Sequence, residues 1–379
     1  MAIRFPGMRF SIREVSSRRD LRDFIRYPLR LYRDDPCFVP HLLWERKQFF
    51  SPKNPIFEFT EVAYFLARDE RGELAGRVTA HVNRRHNECW NEKTGFFGFF
   101  ECVKDIEVAR ALMQAAEQWL LERGMTLVRG PFNFSTNEEC GFLAEGFDKL
   151  PMFMMPYTKP YYLQFMEAQG YQPVKNLLAY DYSWKGAIPE YLVKFSKRVR
   201  EKTGVTIRQM DLAHFEKDVE TAFEIYNAAW VRNWGFVPMT AEEFRYAAET
   251  LKPILDPAVA LIAEKDGRPV AFSLSLPNYN VLLKRMRGRI LPLGPLYLVF
   301  GRSLMDRIRV IILGVIGEYR NRGIDVLLYH DTFYNGVLKR GYWGCEMSWV
   351  LEDNVMMNRA MVRMGAVVQK VYRVFEKQL

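Results

Sequence analysis

The sequence predicts an α/β fold with two domains in tandem, each a mixed, mostly antiparallel sheet flanked by helices. The first observation is length, because 379 residues exceed one ordinary core and fit two. The second is composition, since 49% hydrophobic and 26% charged residues allow each half to bury a core. The third is a repeat, because the same order of predicted elements occurs twice along the chain.

Each half opens on an alternating strand, with Ile12 in the first and Ile207 in the second, and a helical pattern follows. A hairpin is predicted next, with its turn at Gly72 or at Gly267. The element order is β-α-(β-β)-β-α-β-α-β in both halves. It divides the chain into domains at 1–182 and 205–379, joined by a charged linking helix at 183–204.

The fourth strand of each half is apolar, ends in glutamate (Glu101 or Glu318) and leads into a long amphipathic helix. A glycine at the expected C-terminal cap, Gly124 or Gly341, ends each helix. The predicted apolar stripes are Val108, Leu112, Ala115, Trp119 and Leu120 in the first half, and Ile324, Leu327, Leu328, Tyr334 and Leu338 in the second.

Cysteine and histidine spacing indicates neither a disulfide framework nor a metal site. The five cysteines show no CxxC pair and the five histidines no HxxxH pair. The N-terminus lacks an apolar signal region, and no run approaches ~20 uncharged residues. We therefore expect a cytoplasmic protein without a metal cofactor or a membrane span.

The net charge of +9 fits a basic soluble protein, an anionic ligand such as CoA, or an anionic membrane surface. Nucleic acid is not expected as a partner, because the aromatic residues lie in apolar runs rather than in a nucleic-acid-binding motif.

The strongest local signal is a strand-to-helix junction at 315–325. Such a junction leaves the first backbone N–H groups of the helix unpaired, and with the helix dipole they form an anion site. Gly323 allows close approach to a phosphate, and Arg320 and Arg322 add positive charge. The junction predicts a pyrophosphate site that needs no metal.

This junction resembles the acyl-CoA loop of the GNAT acyltransferase superfamily. The matching residues are Val315, Glu318, Tyr319, Arg320, Arg322 and Gly323, whereas Gly317 and Asp325 depart from the pattern. Asn354 and Gly365 match a second signature, but Met361 stands where the family often has a tyrosine as general acid. The resemblance implies that acyl-CoA or acetyl-CoA is the co-substrate, bound by Leu313, Val315, Arg320, Asn321, Arg322, Gly323, Ile324, Asp325 and Asn354.

The first half lacks this loop, because 103–106 offer no glycine, and we expect it not to bind CoA. It carries instead a polar segment at 130–141, interpreted either as a solvated loop or as a substrate-binding loop. In the second interpretation Asn133, Ser135, Thr136 and Asn137 bind the substrate. The candidate general bases are Glu138, Glu139 and Glu318.

The segment 281–310 is basic and apolar, and the chain has 15% aromatic residues and 17 methionines. This composition predicts a peripheral contact with an anionic membrane, while a hairpin with a solvated basic face is the alternative. The tandem arrangement and the polar segment resemble bacterial long-chain acyltransferases, including bacterial ceramide synthases. The predicted function is acyl-CoA-dependent N-acylation of a lipid or sphingoid-type amine. The alternatives are acetylation of a small polar amine, or a non-catalytic ligand-binding protein.

Overall fold

The computed structural model describes residues 2–3, 10–184, 188–290 and 294–379. The strands in these ranges are β1 Ala2–Ile3, β2 Phe10–Glu14, β3 Thr60–Asp69, β4 Leu74–Asn83, β5 Thr94–Cys102, β6 Leu127–Gly130, β7 Phe142–Glu145, β8 Gln172–Ser183, β9 Thr206–Gln209, β10 Ala260–Lys265, β11 Arg268–Pro277, β12 Arg307–Val315, β13 Gly344–Leu351 and β14 Val367–Gln378. The helices are α1 Arg18–Leu31, α2 Leu43–Phe49, α3 Arg84–Trp90, α4 Ile106–Leu121, α5 Tyr161–Glu167, α6 Glu190–Thr203, α7 Phe215–Trp230, α8 Ala241–Leu251, α9 Asn280–Met286, α10 Gly294–Phe300, α11 Ile324–Asn335 and α12 Val355–Arg363.

The chain forms two compact units. The first comprises the described residues within 1–177, 282–295 and 370–379, and the second those within 178–281 and 296–369. The segment 282–295 and the end of β14 thus belong to the first unit, although they lie late in the sequence. The division predicted at 182 and 205 stays a prediction.

The sheet of the first unit follows the order β1-β2-β3-β4-β5-β6 and continues with the end of β14. Its ladders are antiparallel except for the parallel pair β5 and β6. Asp105 caps the N-terminus of helix α4 by accepting the Glu107 N–H through its side chain, and the helix buries its predicted apolar stripe in the core of this unit.

The second unit repeats this plan in the order β8-β13-β12-β11-β10-β9, with β12 and β13 parallel. Helix α11 packs on one face of its sheet, and α7 contacts β11 and β12. The mixed, mostly antiparallel sheet flanked by helices in each unit confirms the predicted fold class. None of the helices in the described ranges has the length and apolar character needed to cross a membrane.

Two details of the prediction are wrong. Tyr334 and Leu338 are exposed, and Leu338 lies in a π-helix at Gly336–Arg340, where the side chains leave the 3.6-residue stripe. The segment 281–310 is not a hairpin, since α9, α10 and the start of β12 occupy its described part. Leu282 and Met286 are buried four residues apart, which is the spacing of one helix face.

Candidate functional site

The second unit has an opening between the parallel strands β12 and β13. Their ladder starts at the pair Arg307–Gly344 and ends at Val310–Met347, although β12 continues to Val315. Ile311 is an extra residue opposite β11, because Leu274 pairs with Ile312 and Ser275 with Val310. Such a bulge bends the strand and leaves the extra residue outside the ladder. The half-buried residues Leu313 and Val315 lie on β12 beyond this point.

The loop after β12 leads directly to the start of α11. Gly323 has φ +80° at the N-terminal cap, and a Cβ there would lie 2.9 Å from Cγ2 of Val199 on α6. Both the left-handed backbone and the close approach of α6 require glycine here. Ile324, the first residue of α11, is buried, and its packing fixes the position of the first turn. The backbone N–H groups of this turn are at the N-terminal end of the helix, where an α-helix has no internal acceptors for them.

The charged residues of the loop differ in how they are held. The Arg320 Nη2 donates to the Ala229 carbonyl at the end of α7 at 2.7 Å, which fixes its guanidinium. Arg322 is exposed with its guanidinium over the Tyr319 ring at 5.1 Å, and Asn321 is exposed with φ +60°. Arg322 is therefore the loop cation that faces solvent.

Asp325, which departs from the family pattern, lies in the first turn of α11. Burial raises the pKa of its carboxyl, while hydrogen bonds from backbone N–H groups oppose that rise. A carboxylate at a helix N-terminus competes with an incoming anion for the same N–H groups. Because burial favours its neutral form, Asp325 competes less than an exposed aspartate would.

The side chains of Glu318 and Asn354 both have partners within the second unit. Glu318 is exposed and pairs with Arg268, with 3.2 Å between Oε2 and Nη1. The Asn354 side chain accepts the Met357 N–H at 3.2 Å and so caps α12. Met361 is fully buried, so the position of the family's tyrosine carries no proton donor in this chain.

Three buried polar side chains that the sequence analysis missed lie where β12 and β13 separate. Arg309 and Glu346 face each other across the ladder, and Ser348 follows two residues later on the same face as Glu346. Arg309, Glu346 and Ser348 are 4%, 1% and 4% exposed. The signal in the sequence was polar residues at alternating positions in two otherwise apolar strands.

The corresponding opening of the first unit is filled by its own chain. Strand β5 also carries a bulge, where Phe99 and Phe100 lie opposite Val78, and its ladder with β6 ends at Phe96–Arg129. The Phe132 N–H donates to the Phe97 carbonyl at 2.8 Å, and a Cβ at Gly98 would overlap the Phe132 carbonyl oxygen. The start of the polar segment therefore fills the position where β5 and β6 separate, which corresponds to the end of the β12–β13 ladder in the second unit.

The polar segment beyond Phe132 is held in place rather than free. Asn133 accepts the Phe99 N–H through Oδ1 and donates to Glu139 through Nδ2, both at 2.8 Å. The other oxygen of Glu139 accepts from Arg46 at 2.8 Å. The Asn137 N–H donates to the Ser135 hydroxyl at 3.1 Å. Thr136 and Glu138 are half-buried in the same segment.

A separate cleft of about 350 Å³ lies in the second unit between α6, β9, β10 and α11. None of its lining residues belongs to β12, β13 or the loop before α11. Its arginines are paired, Arg200 with Asp331 at 2.5 Å and Arg208 with Asp218 at 2.7 Å. The candidate site is therefore the opening between β12 and β13 and not this cleft. Among the described residues, no group of three histidine, cysteine or acidic side chains is placed to hold a metal ion.

Two curated proteins are similar over almost the whole chain. Protein YghO of Escherichia coli is 36% identical over 378 residues, which covers 97% of this chain and 95% of that protein. The bacterial ceramide synthase of Caulobacter vibrioides is 34% identical over 377 residues, 97% of each chain. No protein-family model matches.

Two solved structures show the fold. A tandem GNAT protein from the clavulanic acid biosynthesis pathway superposes with a TM-score of 0.57 at 11% identity, covering 97% of this chain and 98% of that one. A GCN5-related N-acetyltransferase from Sphaerobacter thermophilus gives 0.53 at 16% identity, covering 99% and 97%. The predicted tandem GNAT architecture is confirmed.

Proposed function

Because the chain belongs to the family of protein YghO and the bacterial ceramide synthase, we propose that it transfers an acyl group from acyl-CoA to an amine. The observation that carries this proposal is the opening between β12 and β13, which continues into the loop before α11. An open pair of strands offers backbone N–H groups to a pantetheine, and the helix start offers them to a pyrophosphate.

Within this proposal the second unit holds the donor. Backbone groups of Ile311, Leu313 and Val315 bind the pantetheine and thioester. The N-terminal turn of α11, with Ile324 and Asp325, binds the pyrophosphate. Arg322 supplies the solvent-facing charge, while Arg320 supports the loop through the Ala229 carbonyl. The filled opening of the first unit supports a single donor site per chain.

The proposed acceptor is a lipid amine of the sphingoid type. The support is a relative, the bacterial ceramide synthase of Caulobacter vibrioides, that is 34% identical over 97% of the chain. Asn133, Ser135, Thr136 and Asn137 stay candidates for binding the acceptor. Glu138, Glu139 and Glu318 stay candidates for the base, although the ion pairs of Glu139 with Arg46 and of Glu318 with Arg268 weaken the case for two of them.

We also propose a peripheral contact with an anionic membrane. In the first unit Arg285, Arg287 and Arg289 are exposed, while Lys284 is held by the Pro36 carbonyl. In the second unit Phe300 and Leu304 are exposed apolar side chains that flank the exposed Arg302. Exposed basic and large apolar residues are what a protein uses at the headgroup level of a bilayer.

The test is an acyl-transfer assay that measures free CoA released from palmitoyl-CoA or acetyl-CoA, with sphinganine or a small polar amine as acceptor. The proposal expects release with palmitoyl-CoA and sphinganine, with N-palmitoyl-sphinganine identified by mass spectrometry. A preference for acetyl-CoA and the small amine would favour the small-amine acetyltransferase. CoA binding without turnover of any pair would favour the ligand-binding protein.

A further inference from the structure

The base of the opening contains a hydrogen-bonded chain of three side chains. The Arg309 Nε donates to the Ser348 hydroxyl oxygen at 2.9 Å, and the Ser348 hydroxyl donates to Glu346 Oε1 at 2.8 Å. The Arg309 Nη2 also donates to the Ser348 carbonyl at 3.3 Å. With Arg309 supplying one donor to the hydroxyl oxygen, the hydroxyl hydrogen is directed at Glu346.

Ser348 occupies a special place on β13. The last residue of β13 paired with β12 is Met347, so Ser348 is the first residue beyond the ladder. Met347 packs with Ile308 and Val310 in a core cluster that includes Tyr329 of α11. Because side chains alternate along a strand, Ser348, Glu346 and Arg309 lie on the opposite face, away from α11.

Burying the charged groups of Arg309 and Glu346 costs free energy of folding, and this cost indicates a functional role. Taking two charged groups out of water has a desolvation penalty that their attraction often does not recover, and a well-packed apolar pair is often as stable. Ile308, Val310 and Met347, which are adjacent to them in the two strands, are buried apolar residues. A buried carboxylate that accepts a hydroxyl hydrogen bond at the edge of an opening is typical of a group that handles a proton.

We propose that Glu346 accepts the proton released in acyl transfer and that Ser348 relays it. This inference rests on the proposed function, because it places the reacting thioester in the opening beside Ser348. It also supplies an acid and base where Met361 provides none.

One proton moves from the amine to Glu346 and then to CoA in the proposed step. The amine lone pair forms the C–N bond to the thioester carbonyl, and the amine proton moves to Ser348 Oγ while the Ser348 proton moves to Glu346. When the C–S bond breaks, the proton returns from Glu346 through Ser348 to the departing CoA thiolate. Arg309 remains charged throughout and holds the hydroxyl in place.

The experiment compares kcat and KM for palmitoyl-CoA, with sphinganine as acceptor, in wild type, Ser348→Ala, Ser348→Thr and Glu346→Gln. General-base catalysis contributes about 10²- to 10⁴-fold. We therefore expect Ser348→Ala and Glu346→Gln to lose at least about 100-fold in kcat, with KM for palmitoyl-CoA changed by less than about threefold. Ser348→Thr keeps the hydroxyl, and it should recover kcat to within about tenfold of wild type.

Asp218→Asn is the matched control, since Asp218 is a carboxylate of the same unit, 4% exposed and paired with Arg208. It should lower the melting temperature and leave kcat unchanged when assayed below that temperature. If wild type transfers the acyl group and Ser348→Ala keeps its kcat, the relay is wrong and the proposed function stands. Equal losses in Ser348→Ala and Ser348→Thr would assign Ser348 to packing and also overturn the relay. A wild type that releases no CoA with any acceptor would overturn the proposed function and the relay together.

Discussion

In the first unit the backbone N–H of Phe99 donates to Oδ1 of Asn133 at 2.8 Å, so the bulged strand bonds to the chain's own polar segment. The bulge at Ile311 in the second unit lies beside an opening instead. The Phe99 N–H, a strand group that could bind a pantetheine, is therefore already hydrogen-bonded within the first unit. This contrast explains why two similar units are expected to bind one donor.

The first prediction is a stoichiometry of one CoA per chain. The filled opening and the glycine-free residues after β5 leave the first unit without a donor site. Isothermal titration with CoA should give a single class of site with n close to one. A stoichiometry of two would show that the first unit binds CoA despite the Phe132 contact.

The second prediction concerns the solvent-facing cation of the loop. Arg322→Glu should weaken CoA binding by about 10- to 100-fold, because a hydrogen bond to a charged group contributes about 1.5–3 kcal/mol. Lys217→Glu makes the same charge change at an exposed position in the first turn of α7 and should leave the affinity unchanged. Titration of both variants with CoA makes the comparison. Equal affinities of the two variants for CoA would contradict pyrophosphate binding at this loop.

The third prediction concerns how Asn133 closes the first unit. Asn133→Ala leaves the Phe99 N–H and the Glu139 carboxylate each without one partner, which should cost about 1–3 kcal/mol in the free energy of unfolding. Ser135→Ala removes only the bond from the half-buried Asn137 N–H and should cost less than about 1 kcal/mol. Urea unfolding of both variants distinguishes them, and similar small losses would mean that Asn133 does not hold the segment in place.

The fourth prediction is a pH dependence of stability from Glu101. Burial raises the pKa of this carboxyl to about 7, although Arg77 and the hydroxyls of Tyr32 and Tyr162 oppose the rise. The folded pKa lies above the unfolded value of about 4.3, so the contribution is fully present below that value. It is lost as the pH rises towards 7, by at most about 4 kcal/mol.

Glu101→Gln is the variant that isolates this effect. The free energy of unfolding of wild type minus that of the variant should decrease between pH 5 and pH 8. Glu107→Gln is the control, because Glu107 is more exposed and its Arg110 partner lies on the same helix. A difference between wild type and Glu101→Gln that stays constant over this range would contradict the raised pKa.

The order of elements could be predicted from the sequence because hydrophobic period and glycine position report local structure. The strand–loop–helix junction at Gly323 was visible for the same reason, and the positive φ there explains the glycine. The relay residues Arg309, Glu346 and Ser348 were not found, because their meaning depends on which two strands are neighbours. The ladder between β12 and β13 pairs residues that are 37 positions apart in the sequence, such as 307 and 344, and only the fold shows that it ends at Met347.

The exposure of Leu338 was missed for a different reason. A periodic stripe assumes a uniform helix, and the π-helix at Gly336–Arg340 breaks that assumption. Residue types alone do not reveal such a turn. The polar segment after β6 was recognised as unusual, but whether it is solvated or packed depends on Phe97 and Phe99, which lie on another strand.

The last prediction tests the proposed membrane contact through Phe300. This side chain is 73% exposed, and its neighbour Arg302 is 53% exposed. Burying an exposed phenylalanine contributes about 1.5–3 kcal/mol, so Phe300→Ser should reduce binding to vesicles of phosphatidylglycerol and phosphatidylcholine by about 10-fold or more.

Met356→Ser is the control for this prediction. It removes an apolar side chain that is 71% exposed on α12, and the variant should bind the vesicles as wild type does. Sedimentation with these vesicles at low and high salt measures both effects, because attraction between exposed charges weakens as the Debye length falls. Binding of wild type that neither salt nor Phe300→Ser reduces would contradict a contact through this surface. Absence of wild-type binding would overturn the proposed membrane contact.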